Sequence, residues 1–220
     1  FLALVSTYPC HFLKTYIRTR AISAKNGGSH WVAYYSGART FVTMSCKSDV
    51  PYNFARASER DEFVFGAARP GASGQRCFNP DDKVTPAEVE EWADFMASHG
   101  IQRVVSLLSE SELATYSEPL QPALAARFHR AVVLDAKAPG AVGKLILELQ
   151  AAADNKEKVV VHCWGGGGRT GIALAAWLVQ NHALAPEQAS NDVEQYAKAQ
   201  GASRRADVSQ LRDFLGSSSA

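Results

Sequence analysis

Along the chain, short apolar runs alternate with longer stretches in which apolar residues recur every three or four positions. The runs EFVFGAAR (62–69), IQRVVSLL (101–108), FHRAVVLD (128–135) and KVVVHC (158–163) read as strands, being short and rich in β-branched residues. Thr85-Pro86-Ala87-Glu88 reads as a capping box with proline at the first helical position; Val89, Trp92, Ala93 and Met96 follow at helical spacing, and Gly100 stops the helix. SESELATY (109–116) reads as a short helix or turn, and the pattern predicts longer helices over about 142–155, from near Arg169 to 183, from Pro186 to Tyr196, and within ADVSQLRDFL (206–215). The segment IALAAWLVQNHA (172–183) is apolar on nearly all sides, as expected of a helix at the centre of a domain. Strands separated by helices of this length predict an α/β fold, a central and mostly parallel sheet with helices on both faces. Such sheets carry their sites at the carboxyl ends of the strands, where Cys163 and Asp135 fall.

Charge divides the chain. The formal net charge is +1, yet residues 1–48 hold six basic side chains (Lys14, Arg18, Arg20, Lys25, Arg39, Lys47) and no acid, leaving 17 basic and 22 acidic residues, a net of −5, for the rest. This predicts a basic extension over 1–49, a domain over 50–216 and a short tail, 217–220. The extension has the composition of an organelle transit peptide, or is translated flank ahead of Met44. A cytoplasmic or organellar protein is expected, chloroplast or mitochondrion in the transit-peptide case. No stretch approaches the ~20 apolar residues of a membrane span, and the mildly acidic body lacks the basic face of a nucleic-acid binder. The cysteines Cys10, Cys46, Cys77 and Cys163 show no paired spacing, against a disulfide framework or a zinc site and in favour of a reducing compartment. Oligomeric state is not legible.

Four consecutive glycines interrupt VVVHCWGGGGRTG (159–171). A strand, a glycine-rich loop and a helix starting near Arg169 aim several backbone N–H groups and the positive end of a helix dipole into one concavity, which is an anion site. A nucleotide-binding loop of the form G-x-x-x-x-G-K-[ST] fails by counting: arginine stands where lysine is needed and Cys163 where the first glycine is needed. The bland alternative is a structural turn around a buried cysteine. Against it stand His162 before the cysteine, Arg169 six residues on to grip an anion through two parallel hydrogen bonds, and the hydroxyl of Thr170. A helix N-terminus and a nearby arginine lower a cysteine pKa from ~8.5 to ~3.5–7.5, so the same loop would ionise the thiol.

His162-Cys163-x-x-Gly166-x-x-Arg169-Thr170-Gly171 resembles the H-C-x-x-G-x-x-R-[ST]-G signature of the cysteine-dependent protein phosphatases, more particularly the small dual-specificity group. The resemblance extends more weakly over about 50–215, where Ala67-Ala68-Arg69-Pro70 is similar to the opening of that domain and VVLD to the segment carrying its general acid. It implies a phosphatase acting on phosphorylated protein through a cysteinyl-phosphate intermediate, with no metal or cofactor. Cys163 would be the nucleophile; the backbone of Trp164, Gly165, Gly166, Gly167, Gly168 and Arg169, with the Arg169 side chain, would bind the phosphoryl oxygens. Asp135 would be general acid and then base, Thr170 would assist departure of the sulfur, and His162 and Gly171 would support the loop.

Alternatives stay open. Asp135 is otherwise a turn residue; Asp154 competes by proximity in sequence but is expected at the opposite sheet edge, and Asp81 and Asp82 compete from a loop over the pocket. A phosphoglucan, phosphoinositide or RNA 5′-phosphate is an alternative substrate, although the loop interior lacks the lysine common in phosphoinositide enzymes. A pseudophosphatase that only binds phosphorylated partners is another reading, and a rhodanese-like phosphatase a third, disfavoured by Thr170-Gly171 and the separate aspartate. Arg69, Arg204 and Arg205 are read as solvated surface, with a second anion contact as the alternative. Trp164 packs under the loop or lines its mouth, and Cys77 is incidental or a resolving thiol.

Overall fold

The alternation of apolar runs and helical stretches closes into a five-stranded sheet, in the order β1-β2-β5-β3-β4, in the computed structural model, which describes residues 49–72 and 83–216. The strands β2 (Val64–Ala68), β3 (Ile101–Ser106), β4 (Arg130–Val133) and β5 (Lys158–Cys163) run parallel, and β1 (Ala55–Arg56) adds an antiparallel edge. Helices α1 (Pro86–Ser98), α2 (Glu110–Leu113), α3 (Leu120–Ala125), α4 (Ala141–Asp154), α5 (Gly168–His182), α6 (Pro186–Ala199) and α7 (Val208–Gly216) complete the fold. The expected α/β class and mostly parallel sheet are observed. Residues 1–48, 73–82 and 217–220, which include Asp81, Asp82, Cys77, the extension and the tail, lie outside the described residues.

The period of two along β5 separates the two cores. Val159, Val161 and Cys163 face one of them, with Leu145 and Leu149 of α4, Leu174, Trp177 and Leu178 of α5, and Leu211 of α7. Val160 faces the other, with Trp92 and Met96 of α1 and Leu120 and Leu124 of α3. Helix α5 is buried at Thr170, Gly171 and every position from Ala173 to Leu178, as its continuous apolar run requires. The predicted capping box is present on α1: Thr85 Oγ1 accepts from Glu88 N at 3.3 Å and Glu88 Oε2 from Thr85 N at 2.9 Å. Trp92 then donates its indole N–H to Ala68 O at 3.0 Å, tying α1 to the carboxyl end of β2.

Two elements were not legible. β1 has only two residues, too few for any period to show. Helix α3 is preceded by Pro119 and contains Pro122, a pattern that reads as a loop but is tolerated because proline costs no hydrogen bond in the first turn.

Asp61, 4% exposed, joins β2 to α5. Its Oδ1 accepts from Phe63 N and Val64 N, each at 2.8 Å, and its Oδ2 from Trp177 Nε1 at 2.5 Å, with His182 Nε2 3.3 Å away. Asp61→Ala strands these donors, each worth about 1–3 kcal/mol when left unpaired in the interior, and is expected to destabilise the chain by roughly 3 kcal/mol or more in urea titration. Asp61→Asn, which keeps one acceptor oxygen, is expected to lose less.

Candidate active site

The sheet register brings residues distant in sequence to one level. Ala67, His162, Ser106 and Val133 lie side by side across β2, β5, β3 and β4. Leu107 N donates to His162 O at 2.7 Å and Leu134 N to Ser106 O at 2.9 Å, continuing the ladder past the strand ends. Arg69, Cys163, Leu107 and Asp135 therefore leave the sheet at its carboxyl edge. Asp135, two strands from Cys163, stands on the order of 10 Å away across strands spaced at ~4.8 Å.

Beyond Cys163 the loop turns back against β2. Gly166 has φ +68°, and a Cβ there would come within 2.5–2.6 Å of the backbone of Ala67 and Ala68. A Cβ on Gly171 would lie 2.4 Å from Arg205 O. At Gly165 nothing lies within 4 Å, and at Gly167 and Gly168 the nearest atoms are 4.0 and 3.7 Å away. Packing thus demands glycine at 166 and 171, while the other three glycines keep the loop bare.

The loop carbonyls are held from outside. Trp164 O accepts from Arg69 N at 3.3 Å, Gly165 O from Asn53 Nδ2 at 3.1 Å, and Gly167 O from Gly171 N at 2.9 Å and Arg205 N at 3.4 Å. In a trans peptide the following N–H points the opposite way. The N–H groups of Gly165, Gly166 and Gly168 are accordingly turned to the concave side, where α5 adds the positive end of its dipole.

Arg169 enters this bowl from the first turn of α5. Its end-on edge is already taken: Nη1 donates to Glu112 Oε2 at 2.7 Å and to Leu107 O at 2.8 Å, and Nη2 donates to Glu112 Oε1 at 2.5 Å. The Nε–H and the remaining Nη2 hydrogen form a second parallel pair with no partner among the described residues. Hydrogen bonding to Glu112 raises the Arg169 pKa against the effect of burial, and the charges of Cys163 and Asp135 act in the same direction. Burial pushes the Glu112 carboxyl up, but bonds from Arg169 and Ser109 outweigh it and hold the group below its usual range.

Cys163 is a buried free thiol, 3% exposed. His162 is wholly buried, with Nε2 2.7 Å from Ser106 Oγ and its ring edge-on to Trp92. Burial, helped by Arg69 and Arg169 and opposed by the Cys163 main chain and Glu112, holds its pKa down to about 3. The ring is neutral and tethered to the neighbouring strand. Thr170 is buried, and its Oγ1 has no hydrogen-bond partner among the described residues.

Asp135 is exposed, and its Oδ1 accepts from Lys137 N at 2.9 Å, so it makes the turn expected of an aspartate after a strand and also bears on Arg169. Asp154 ends α4, before the amino end of β5, with Oδ1 bonded to Gln150 Nε2 at 2.8 Å. The surface reading of Arg69 and Arg204 is corrected: they are 2% and 7% exposed. The Arg69 guanidinium lies 3.8 Å from the centroid of the Trp164 ring, which fixes where that ring packs. Arg204 donates through Nη2 to Asn53 O at 2.5 Å and Gly66 O at 2.6 Å, and no carboxylate pairs with it among the described residues. Burial holds its pKa down to about 10, opposed by the charge on Cys163. Arg205 is exposed, as expected.

Sequence reasoning missed Glu112 and Asn53. Ser109-x-x-Glu112 is a capping-box pattern that marks Glu112 at a helix start, whereas nothing local marks Asn53.

Two expectations follow from this geometry. Gly166→Ala, forced into a left-handed conformation against the β2 backbone, is expected to cost roughly 2–4 kcal/mol by denaturant titration, while Gly165→Ala stays within about 1 kcal/mol. The unfolded chain protonates His162 near pH 6.5 and the folded chain near 3, so the unfolded state binds more protons between those values. Stability from this group is complete above about pH 6.5 and is lost as pH falls toward 3; from pH 6.5 to 4.5, wild type is expected to lose roughly 2–3 kcal/mol more than His162→Gln.

A family model described as "Polymorphic toxin system, DSP-PTPase phosphatase" matches residues 82–183. Cyclin-dependent kinase inhibitor 3 of Mus musculus is 27% identical over 107 residues, 46% of this chain and 51% of that protein, so the chain spans about half the length of this curated relative. Among solved structures, kinase associated phosphatase (KAP) with its catalytic-site cysteine replaced by serine has a TM-score of 0.58 at 22% identity, covering 78% of this chain and 98% of that one. PTPMT1 in complex with PI(5)P has a TM-score of 0.52 at 17% identity, covering 74% and 94%. These structural likenesses concern the fold. No helix among the described residues is long and apolar enough to cross a membrane.

Proposed function

We propose that the chain, whose residues 82–183 match the DSP-PTPase phosphatase model, is a cysteine phosphatase of the dual-specificity-like superfamily and hydrolyses phosphomonoesters on proteins through a cysteinyl-phosphate intermediate. One observation supports the reading: in the loop that follows Cys163 the carbonyls of Trp164, Gly165 and Gly167 are bonded away from the concave side, and one N–H edge of Arg169 has no partner among the described residues.

In the first step the Cys163 thiolate attacks phosphorus; the S–P bond forms as the P–O bond to the leaving group breaks, and Asp135 gives its proton to that oxygen. Charge on the equatorial oxygens is met by the loop N–H groups and Arg169. In the second step water attacks phosphorus, Asp135 as carboxylate takes the proton, and the S–P bond breaks to release phosphate. The Thr170 hydroxyl, which has no partner among the described residues, is free to donate to the departing sulfur. His162, neutral and bonded to Ser106, holds the strand end in place.

The interior of the loop, Trp164 to Gly168, carries no cationic side chain, which supports a singly phosphorylated side chain as substrate over a polyanionic inositol lipid. Retention of Cys163, Arg169 and Asp135 together supports turnover over mere phosphate binding.

Hydrolysis of an aryl phosphate is expected to survive a metal chelator and to fall at least about 10³-fold in Cys163→Ser. Asp135→Asn is expected to lower kcat by roughly 10²–10⁴-fold. Full rate in Asp135→Asn removes that residue from the mechanism, and phosphopeptide binding without wild-type turnover replaces catalysis with recognition. A greater kcat/KM for a phosphoinositide than for phosphopeptides reverses the substrate assignment.

A further inference from the structure

We infer that Asn53, supported by Arg204, is a positioning residue that keeps the Gly165–Gly166 peptide turned so that its N–H faces the phosphoryl group. The inference rests on the reading that the bowl receives phosphate.

Asn53 comes from the segment ahead of β1, 112 residues from Gly165. It is buried, with φ +53°, a left-handed conformation that asparagine accepts more readily than most residues. Its amide is fully engaged. Oδ1 accepts from Ser203 N at 2.7 Å, and Nδ2 donates to Ser203 O at 2.9 Å and Gly165 O at 3.1 Å. The paired bonds to Ser203 fix which end of the amide is the donor, since a flip would set oxygen against oxygen and N–H against N–H. The main chain of Asn53 is held in turn, its carbonyl sharing Arg204 Nη2 with Gly66 O on β2.

The other anchored carbonyls of the loop, on Trp164 and Gly167, are held by main-chain N–H groups, which no substitution other than proline removes. The Gly165 carbonyl is held by a side chain. Glycine on both sides of the Gly165–Gly166 peptide leaves little steric resistance to its rotation once that bond is gone. Rotation would bring the Gly165 oxygen inward, replacing a donor with an acceptor aimed at phosphate, so the consequence is repulsion as well as a lost bond.

Asn53→Asp separates positioning from a merely structural role. It keeps the acceptor for Ser203 N and a residue type tolerant of left-handed backbone, but sets a carboxylate against the Gly165 and Ser203 carbonyls. A role confined to holding the left-handed turn predicts that Asn53→Gly keeps phosphate affinity; positioning predicts that both variants fail at the bowl. Binding of orthophosphate to Cys163→Ser, read by calorimetry, is expected to weaken at least tenfold when Asn53→Asp is added, and also with Asn53→Gly, which keeps the backbone conformation should the aspartate variant not fold. In the chain with Cys163 intact, kcat/KM for an aryl phosphate and the inverse of the vanadate inhibition constant are expected to fall in parallel. Phosphate affinity within twofold of the parent in either folded variant overturns the inference and leaves the hydrolase reading untouched. If wild type shows no turnover while the tenfold binding loss is seen, the hydrolase reading fails and the positioning role stands. Absence of phosphate binding in Cys163→Ser itself overturns both.

Discussion

A glycine loop has no side chains with which to recognise an anion, so its chemistry depends on which way its peptides face. Here that direction is set from behind. Carbonyls of Trp164, Gly165 and Gly167 are drawn outward by Arg69, Asn53 and Arg205, three residues that the fold delivers from the end of β2, the segment before β1 and the segment between α6 and α7. Each peptide so fixed presents its N–H to the opposite side. An isolated loop of this composition would sample both orientations, and the ordering cost would fall on the ligand. The sheet and its flanking segments bear that cost during folding instead.

The same neighbourhood gathers positive charge. Arg69, Arg169 and Arg204 all approach the loop, two of them buried, and Glu112 is the carboxylate bonded to one of them. Burying a guanidinium without a carboxylate is costly, and the lowered pKa of Arg204 is the mark of that cost. The group nevertheless stays protonated at neutral pH; carbonyl oxygens, which supply partial charge only, take its terminal nitrogens, while its buried Nε has no partner among the described residues. An arrangement with excess positive charge and inward N–H groups is at its most stable when an anion occupies it.

How much of this was legible follows from where the information lies. The strands β2 to β5, the long helices and the signature from His162 to Gly171 are written in local period and spacing, and Asp135 was placed by counting strands to the same sheet edge. What escaped was non-local. Arg69 and Arg204 look like surface residues because charge is normally solvated; only the packed structure shows Trp164 lying over one and the carbonyls of Asn53 and Gly66 around the other. The signature marks Gly166 and Gly171 without giving a reason; the requirement at Gly166 arises from the β2 backbone and that at Gly171 from the segment following α6. Asn53 carries no signal at all, since its partners lie more than a hundred residues away.

Glu112 shows how a local signal acquires a distant function. Helix α2 has four residues, far too few to be stable alone. Its capping box uses Glu112 Oε2 to accept from Ser109 N at 2.9 Å, and the same carboxylate receives both terminal nitrogens of Arg169. The ion pair therefore stabilises α2 by completing its cap, and α2 holds Arg169 by fixing the carboxylate on which the guanidinium docks. Leu107 O, at the end of β3, takes the last hydrogen of Nη1 and sets the plane of the fork. With its end-on edge occupied, the guanidinium turns its remaining N–H pair to the bowl, so a cap only one turn long determines which face of Arg169 a phosphoryl oxygen meets.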